Sequence, residues 1–354
     1  MLARATDGTC LAKLVKLAIL LLRSAQRQCP RTGPGRAPDF DEWKIAVMIV
    51  AATLKNRKSK SAQYRFLHEH RGRFKRWLGL QRFPARSTYF TRYRRSYRLL
   101  QKAIELQGRL AIRLGLANPS VVAVDKSLIA ARGRAWTWKR RKAKRVVPGV
   151  DRDATWGYSP YDGWVYGYSY EVVVTAPKHG VVWPLLASAD RASTSEHASF
   201  ADKISRLPPS TQHVLADSGY DSNDFGQRVE LDQQSRPTGR HFICPPTRPC
   251  PTEPPTTYRL SRRAQQARKL RIQRVAFYKS RRGKRLFALR SQSVEPFNDW
   301  FKRDFGLDQT VWHRGLANNQ TQLMAAIFAY QLLLRYNHAR HRENGQIQWI
   351  LDAL

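Results

Sequence analysis

Acid is scarce in this sequence of 354 residues: 26 Asp and Glu stand against 63 Lys and Arg, a formal net charge of +37 and a pI near 10.9. An ordinary small soluble domain carries only about 2–8 net charges. The imbalance therefore points to a polyanionic partner, nucleic acid first, drawn by charge attraction and counterion release. Cysteine is scarce as well. Cys10, Cys29, Cys244 and Cys250 contain no CxxC pair, which excludes a zinc or disulfide framework. Long apolar runs are missing: "LAKLVKLAILLL" at 11–22 is broken by Lys13 and Lys16, and "LMAAIFAYQLLL" at 323–334 falls short of the roughly 18 residues a membrane span needs. With no clear signal-cleavage site, a cytoplasmic, nucleoid-associated protein without membrane contact is expected. No internal repeat is found. What is present suffices for a core, since 42% hydrophobic and 11% aromatic residues exclude a disordered polybasic chain.

Residues 1–118 read as helical, with apolar periodicity over 11–25, a Pro/Gly break "CPRTGPGRAP" at 29–38, and a helix opening after Asp41 as cap. In "GLQRFPARSTYFTRYRRSYRLLQKAIELQ", a turn at Pro84 feeds a helix start at Ser87 and Thr88 and then Arg92, Arg94, Arg95 and Arg98. This suits the second helix of a helix-turn-helix reader, and equally the solvated face of a scaffold helix. From 119 the texture becomes α/β: five strands are expected, "SVVAVDKSLIA", the hairpin pair "VYGYSYEVVVTA" and "GVVWPLLASA", then "QHVLADSGYD" and "RHFICPP", with helices near 195–207 and 222–234. Residues 247–290 form a basic insertion with fourteen Lys or Arg and one acid, Glu253, a run that repels itself unless it faces an anion. The stripe Leu323, Ile327, Tyr330 and Leu334 is expected in the core.

The few acids are placed where chemistry collects. Asp125 and Asp217 each follow an apolar strand, so a sheet pairing those strands brings two carboxylates together, and two close carboxylates need a neutralising cation. Mg²⁺ takes a couple of carboxylates plus phosphate oxygens, and a pair of ions about 3.5–4 Å apart serves both the attacking and the leaving oxygen of a phosphodiester. Glu295 is a third ligand by one reading, sharing a helix face with Lys302 seven residues on; by the other it merely favours a helix N-terminus. Trp136 and Trp138 among nine Lys and Arg between Asp125 and Asp151 suit unstacked bases, or are wedged structurally under a loop.

The ordered blocks "VVAVDKS", "DATWGYSPYDGWVYGYSYEVVV", "HVLADSGYDS", "SVEPFNDWFK" and "HRGLANNQTQLMAAIFAYQLLLRYN" resemble those of bacterial insertion-sequence transposases of the DDE class, over about 119–337. The resemblance implies an RNase H-like mixed sheet flanked by helices (119–354), with a helical N-terminal DNA-binding region (1–118) and a basic insertion before the Glu helix. It implies catalytic, metal-binding Asp125, Asp217 and Glu295, with two Mg²⁺ (Mn²⁺ as substitute), cleaving strands at element ends and transferring them to target DNA. The partners implied are double-stranded DNA and a second or further copy of the chain. DNA contacts are expected from Arg86, Arg92, Arg94, Arg95, Lys139, Arg140, Arg141, Lys142, Arg290 and Lys302. The family's Tyr and Arg before the Glu fall here on Ala288 and Ser291, with Arg290 one position off. "STSEHASF" stands where relatives often carry His-Asp, which brings Glu196 and His197 toward the site. A metal-dependent nuclease without strand transfer, or a non-catalytic DNA-binding relative, is the alternative.

Overall fold

The computed structural model describes residues 7–29, 40–137, 148–248, 261–342 and 345–354. Its β-branched and aromatic runs form six strands: β1 (Val121–Ala130), β2 (Thr155–Ser159), β3 (Gly163–Thr175), β4 (Pro184–Arg191), β5 (His213–Leu215) and β6 (His241–Ile243). They make one mixed sheet in the order β2-β3-β1-β5-β6. β3 is long enough to pair with β2 through Gly163–Gly167 and then with β4 through Tyr168–Val174, both antiparallel. β1 is antiparallel to β3, while β5 and β6 add in parallel. This is the RNase H-like order expected, except that β2 was not foreseen among the five strands.

The helices precede, connect and follow the strands. α1 (Asp7–Gln28), α2 (Glu42–Leu54), α3 (Lys60–Glu69), α4 (Arg71–Leu78), α5 (Arg86–Tyr93) and α6 (Tyr97–Arg113) come first. α7 (Glu196–Ile204), capped by Ser195 as its sequence indicated, joins β4 to β5, and α8 (Asn223–Glu230) joins β5 to β6. α9 (Arg262–Lys279), α10 (Arg281–Ser291), α11 (Val294–Asp304), α12 (Leu316–His338) and α13 (Gln348–Asp352) follow. The single basic helix expected after Pro84 is two: Ser96 Oγ donates to Arg92 O at 3.1 Å, and Arg94–Ser96 separate α5 from α6. Such a side-chain bond competes with the helical ladder.

α12 is buried on nearly its whole circumference, not along one stripe. It packs against α2 and α6 on one side and β3 and β4 on the other. Its polar residues therefore need partners inside the protein. Gln331 Nε2 donates to Ile104 O and Pro184 O, Thr321 Oγ1 to Tyr93 O, and Gln322 Oε1 accepts from Trp312 N. Just before α12, buried His313 meets Tyr93 Oη through Nε2 at 2.9 Å, pinning α5 to the sheet-bearing part.

Burial holds His313 neutral and lowers its pKa to about 3, with Lys60 and Arg132 adding to the effect. The folded value lies below the ordinary 6.5, so the stability it contributes is complete above that pH and is lost as pH falls. The loss is about 1.4 kcal/mol per pH unit between about 6.5 and 3. His313→Gln, which still offers Tyr93 an acceptor, is expected to unfold more easily at neutral pH but with an acid slope shallower by about one proton in urea titrations. An unchanged slope would show that His313 is not buried neutral.

Candidate active site

The site begins with a strand register. β1 and β5 align Val121 with His213, Val122 with Val214 and Ala123 with Leu215. Two residues further along each chain stand Asp125 and Asp217, level with one another. β1 does not end at Asp125, as the sequence suggested. It continues to Ala130 because β3 pairs with its other edge, Asp125 lying opposite Val172. What ends is β5, at Leu215, so Asp125 faces the gap its neighbour leaves. Asp217 turns the chain there by accepting from Gly219 N at 3.0 Å and capping the short turn Ser218–Tyr220.

Three sequence-predicted acids converge on one guanidinium. Arg290 Nη2 lies 2.6 Å from Asp125 Oδ1 and 3.6 Å from Asp217 Oδ2, and its Nη1 lies 3.9 Å from Glu295 Oε1. Arg290 lies in the last turn of α10 and Glu295 in the first turn of α11, so the short break between these helices sets the distance between them. Asn298, one turn beyond Glu295, donates to Asp125 Oδ2 at 2.7 Å and accepts from Tyr170 Oη at 2.8 Å. Its spacing from Glu295 and Lys302 was the signal that could have found it. Burial still pushes the Asp125 carboxyl up to about 6, and Asp217 adds to this; Arg290 and Asn298 offset it only in part. Burial thus outweighs the Arg290 charge at Asp125.

Among the described residues, no three His, Cys, Asp or Glu side chains lie close enough to hold an ion as they stand. Arg290 stands between the acids, and Glu295, with 56% of its side chain exposed, sits at the rim. Two neighbouring aspartates are nevertheless the hard-oxygen donors a divalent cation takes.

A second layer fixes the turn after Asp217. Tyr220 Oη donates to Glu171 Oε2 at 2.8 Å, and Glu171 is paired with Lys203 Nζ at 2.7 Å, both fully buried. Ser199 and Ser188 complete this cluster. Glu196 packs its carboxylate over Gly219, where a Cβ would collide with it. Burial, then the charge of Asp217, raises its pKa to about 7. Lys126, beside Asp125, spends its ammonium on the carbonyls of Ala192 and Thr194. His197 points elsewhere, stacked on Phe225 at 4.2 Å.

The expected DNA contacts fall in three groups. Arg86 and Arg92 lie on α5, Arg94 and Arg95 in the link to α6; all are exposed except half-buried Arg92, and Arg86 donates to Ser61 Oγ. Arg290 and half-buried Lys302 belong to the acid pocket and its helix. Lys139, Arg140, Arg141 and Lys142, with Trp138, lie outside the described residues. In the basic insertion, two arginines face the chain's own acids: Arg271 grips Asp221 at 3.0 and 3.1 Å, and Arg274 reaches Glu230 at 3.2 Å. That relieves part of the like-charge repulsion. Phe277 of α9 stacks over His241 of β6 and so covers the last strand.

Residues 117–332 match a family model described as Transposase DDE domain. No curated protein and no solved structure matches.

Removing Arg290 leaves its acids facing one another. Arg290→Gln is expected to cost about 3–5 kcal/mol in urea unfolding under chelator, the range for breaking a buried pair by removing one partner. The Asp125→Asn, Arg290→Gln double variant should recover much of that loss. Strictly additive costs would mean the two groups do not interact.

Proposed function

Because the chain belongs to the DDE transposases, metal-dependent polynucleotidyl transferases, we propose that Asp125, Asp217 and Glu295 are its catalytic acids and that it cuts DNA at element ends and joins them to target DNA. The observation carrying this reading is the convergence of these acids, 170 positions apart at the extremes (295 − 125), on Arg290. Bound at these carboxylates, two Mg²⁺ ions (Mn²⁺ as substitute) would activate the attacking oxygen and stabilise the leaving one. The protein's part is to place oxygens. Asp125 is fixed by Asn298 and Asp217 by its own turn, so both carboxylates are held before any ion or DNA arrives. Glu295, at the exposed rim, closes the set from α11. Arg290 turns its guanidinium from the acids to a phosphate oxygen, and Lys302, two helix turns beyond Glu295 on the same face of α11, serves the next phosphate.

The same nucleophilic geometry serves a water in cleavage and a 3′-hydroxyl in joining, with no covalent enzyme intermediate. Arg86, Arg92, Arg94 and Arg95 on the helical region 1–118, and the basic residues 139–142, hold the duplex backbone. The catalytic domain spans 119–354. Joining two element ends requires two or more copies on DNA, and the protein works in the cytoplasm at the nucleoid. No helix among the described residues is long and apolar enough to cross a membrane.

Asp217→Asn should bind DNA as wild type does while cleavage of linear DNA carrying the element ends, with Mg²⁺, drops by about three orders of magnitude or more. Unchanged cleavage would refute the assignment. Pre-cut ends should be joined to target DNA; release of fragments without joining would leave a nuclease. Affinity should fall with salt at a log–log slope of about −0.9 per phosphate neutralised, and a flat response would remove the electrostatic account.

A further inference from the structure

The β2–β3 hairpin carries a surface that the acid pocket does not use. Six large apolar side chains are exposed among the described residues, and four of them, Trp156, Tyr158, Tyr161 and Trp164, sit on this hairpin. Single exposed aromatics are ordinary, whereas a contiguous patch marks a contact surface. The register makes it contiguous. Trp156 lies opposite Tyr166 and Tyr158 opposite Trp164, so four rings share one face. Tyr158 and Trp164 meet edge to face at 5.5 Å and Trp156 and Tyr166 at 5.4 Å, while Tyr158 and Trp164 remain 63% and 69% exposed.

That face lies on the same side of the sheet as the acid pocket. Asp125 lies opposite Val172, and the alternation along β3 puts Val172, Tyr170, Tyr168, Tyr166 and Trp164 on the same side as Asp125. Tyr170 touches Phe301 of α11 and bonds Asn298, and Tyr168 and Tyr166 are buried with their hydroxyls on Asp151, so the row is covered until it emerges at Trp164. At the hairpin's turn, Asp162 is near enough to act on the charge of Lys302 on α11. The hairpin is also braced. A Cβ on Gly157 would stand 2.6 Å from Ala192 O, so its other face is closed, and Trp156 Nε1 donates to Trp136 O at 3.2 Å. Exposed Arg134 and Arg152 flank it in the loops on either side of β2's entry.

We propose that Trp156, Tyr158 and Trp164 form a stacking platform for unpaired bases of a DNA strand end lying beside the acid pocket. Rings offer a face to any base without reading its identity. The flanking cations suit a polyanion, and the braced hairpin presents the rings already ordered, so little entropy is lost when a base stacks. A protein partner of the same chemistry would lack the charge these cations match. The inference rests on the transposase reading of the neighbouring pocket.

The test uses the full chain in chelator and two probes, a blunt duplex and the same duplex with a single-stranded overhang of about six nucleotides carrying 2-aminopurine, a length within one stacking site. Wild type should bind the overhang duplex more tightly and quench its fluorescence. Trp164→Ala with Tyr158→Ala, both surface changes, should lose the quenching and weaken overhang binding by about tenfold or more, leaving blunt-duplex binding unchanged. Trp164→Phe should keep most of the quenching. Equal weakening on both probes, or quenching that survives the double variant, would overturn the platform while leaving the acid pocket untouched. If the variants instead change only the oligomeric state in sedimentation, the face joins copies of the chain and the proposal fails. Wild type binding neither probe would sink the transposase reading itself.

Discussion

Two carboxylates brought together at neighbouring parallel strands, one on β1 and one just past the end of β5, repel each other, and much of this structure answers the question of where compensating charge comes from. The β1–β5 register and the turn after β5 set this up: Ala123 pairs with Leu215, and the chains then carry Asp125 and Asp217 to the same end of the strand pair. Burial worsens the conflict, because the low-dielectric surroundings that raise the Asp125 pKa also strengthen the repulsion. Arg290, Asn298 and the helix break that carries Glu295 are arranged around this pair.

The same economy of acid runs through the protein. With 26 acids for 63 basic residues, several carboxylates removed from solvent have a specific cationic neighbour, while buried Asp151 is held by the Tyr168 hydroxyl and backbone N–H groups. Asp221 and Glu230 take Arg271 and Arg274 from the insertion, and Glu171 takes Lys203 from α7. The last pair is costly to bury and gains by the hydroxyls that complete it, Tyr220 among them. Through Tyr220 that cluster fixes the turn on which Asp217 sits, so charge pairing far from the pocket's mouth still governs its geometry.

The sequence displayed Asp125 and Asp217 because an apolar β-branched run that meets a carboxylate is unusual, and it displayed Glu295 through its spacing from Lys302. Arg290 was legible as a basic residue out of place, but its convergence with the acids depends on where α10 breaks from α11, and a two-residue break has no strong local signature. β1's continuation past Asp125 was hidden because a strand's end is decided by its neighbours: β5 leaves, β3 stays. β2 was missed since "TWGYS" is short and contains glycine, although its alternating rings and the "SPYDG" turn did signal a hairpin. Lys203 reads locally as a solvated helix lysine, and only the fold, which brings β3 beneath α7, shows otherwise. Residues 139–142 lie outside the described residues and leave that part of the expected DNA contact to experiment.

The nearly enclosed α12 has a consequence for how the molecule is made. It lies late in the chain, yet it covers α2, α6 and β4, which are synthesised long before it. While the ribosome is still translating, those apolar faces have no cover, and early helices and sheet cannot settle into their final arrangement. The nascent chain therefore passes through a period of sticky, incomplete structure, and a messenger truncated before Leu316 yields a product fit for chaperones or proteases, not a smaller working enzyme.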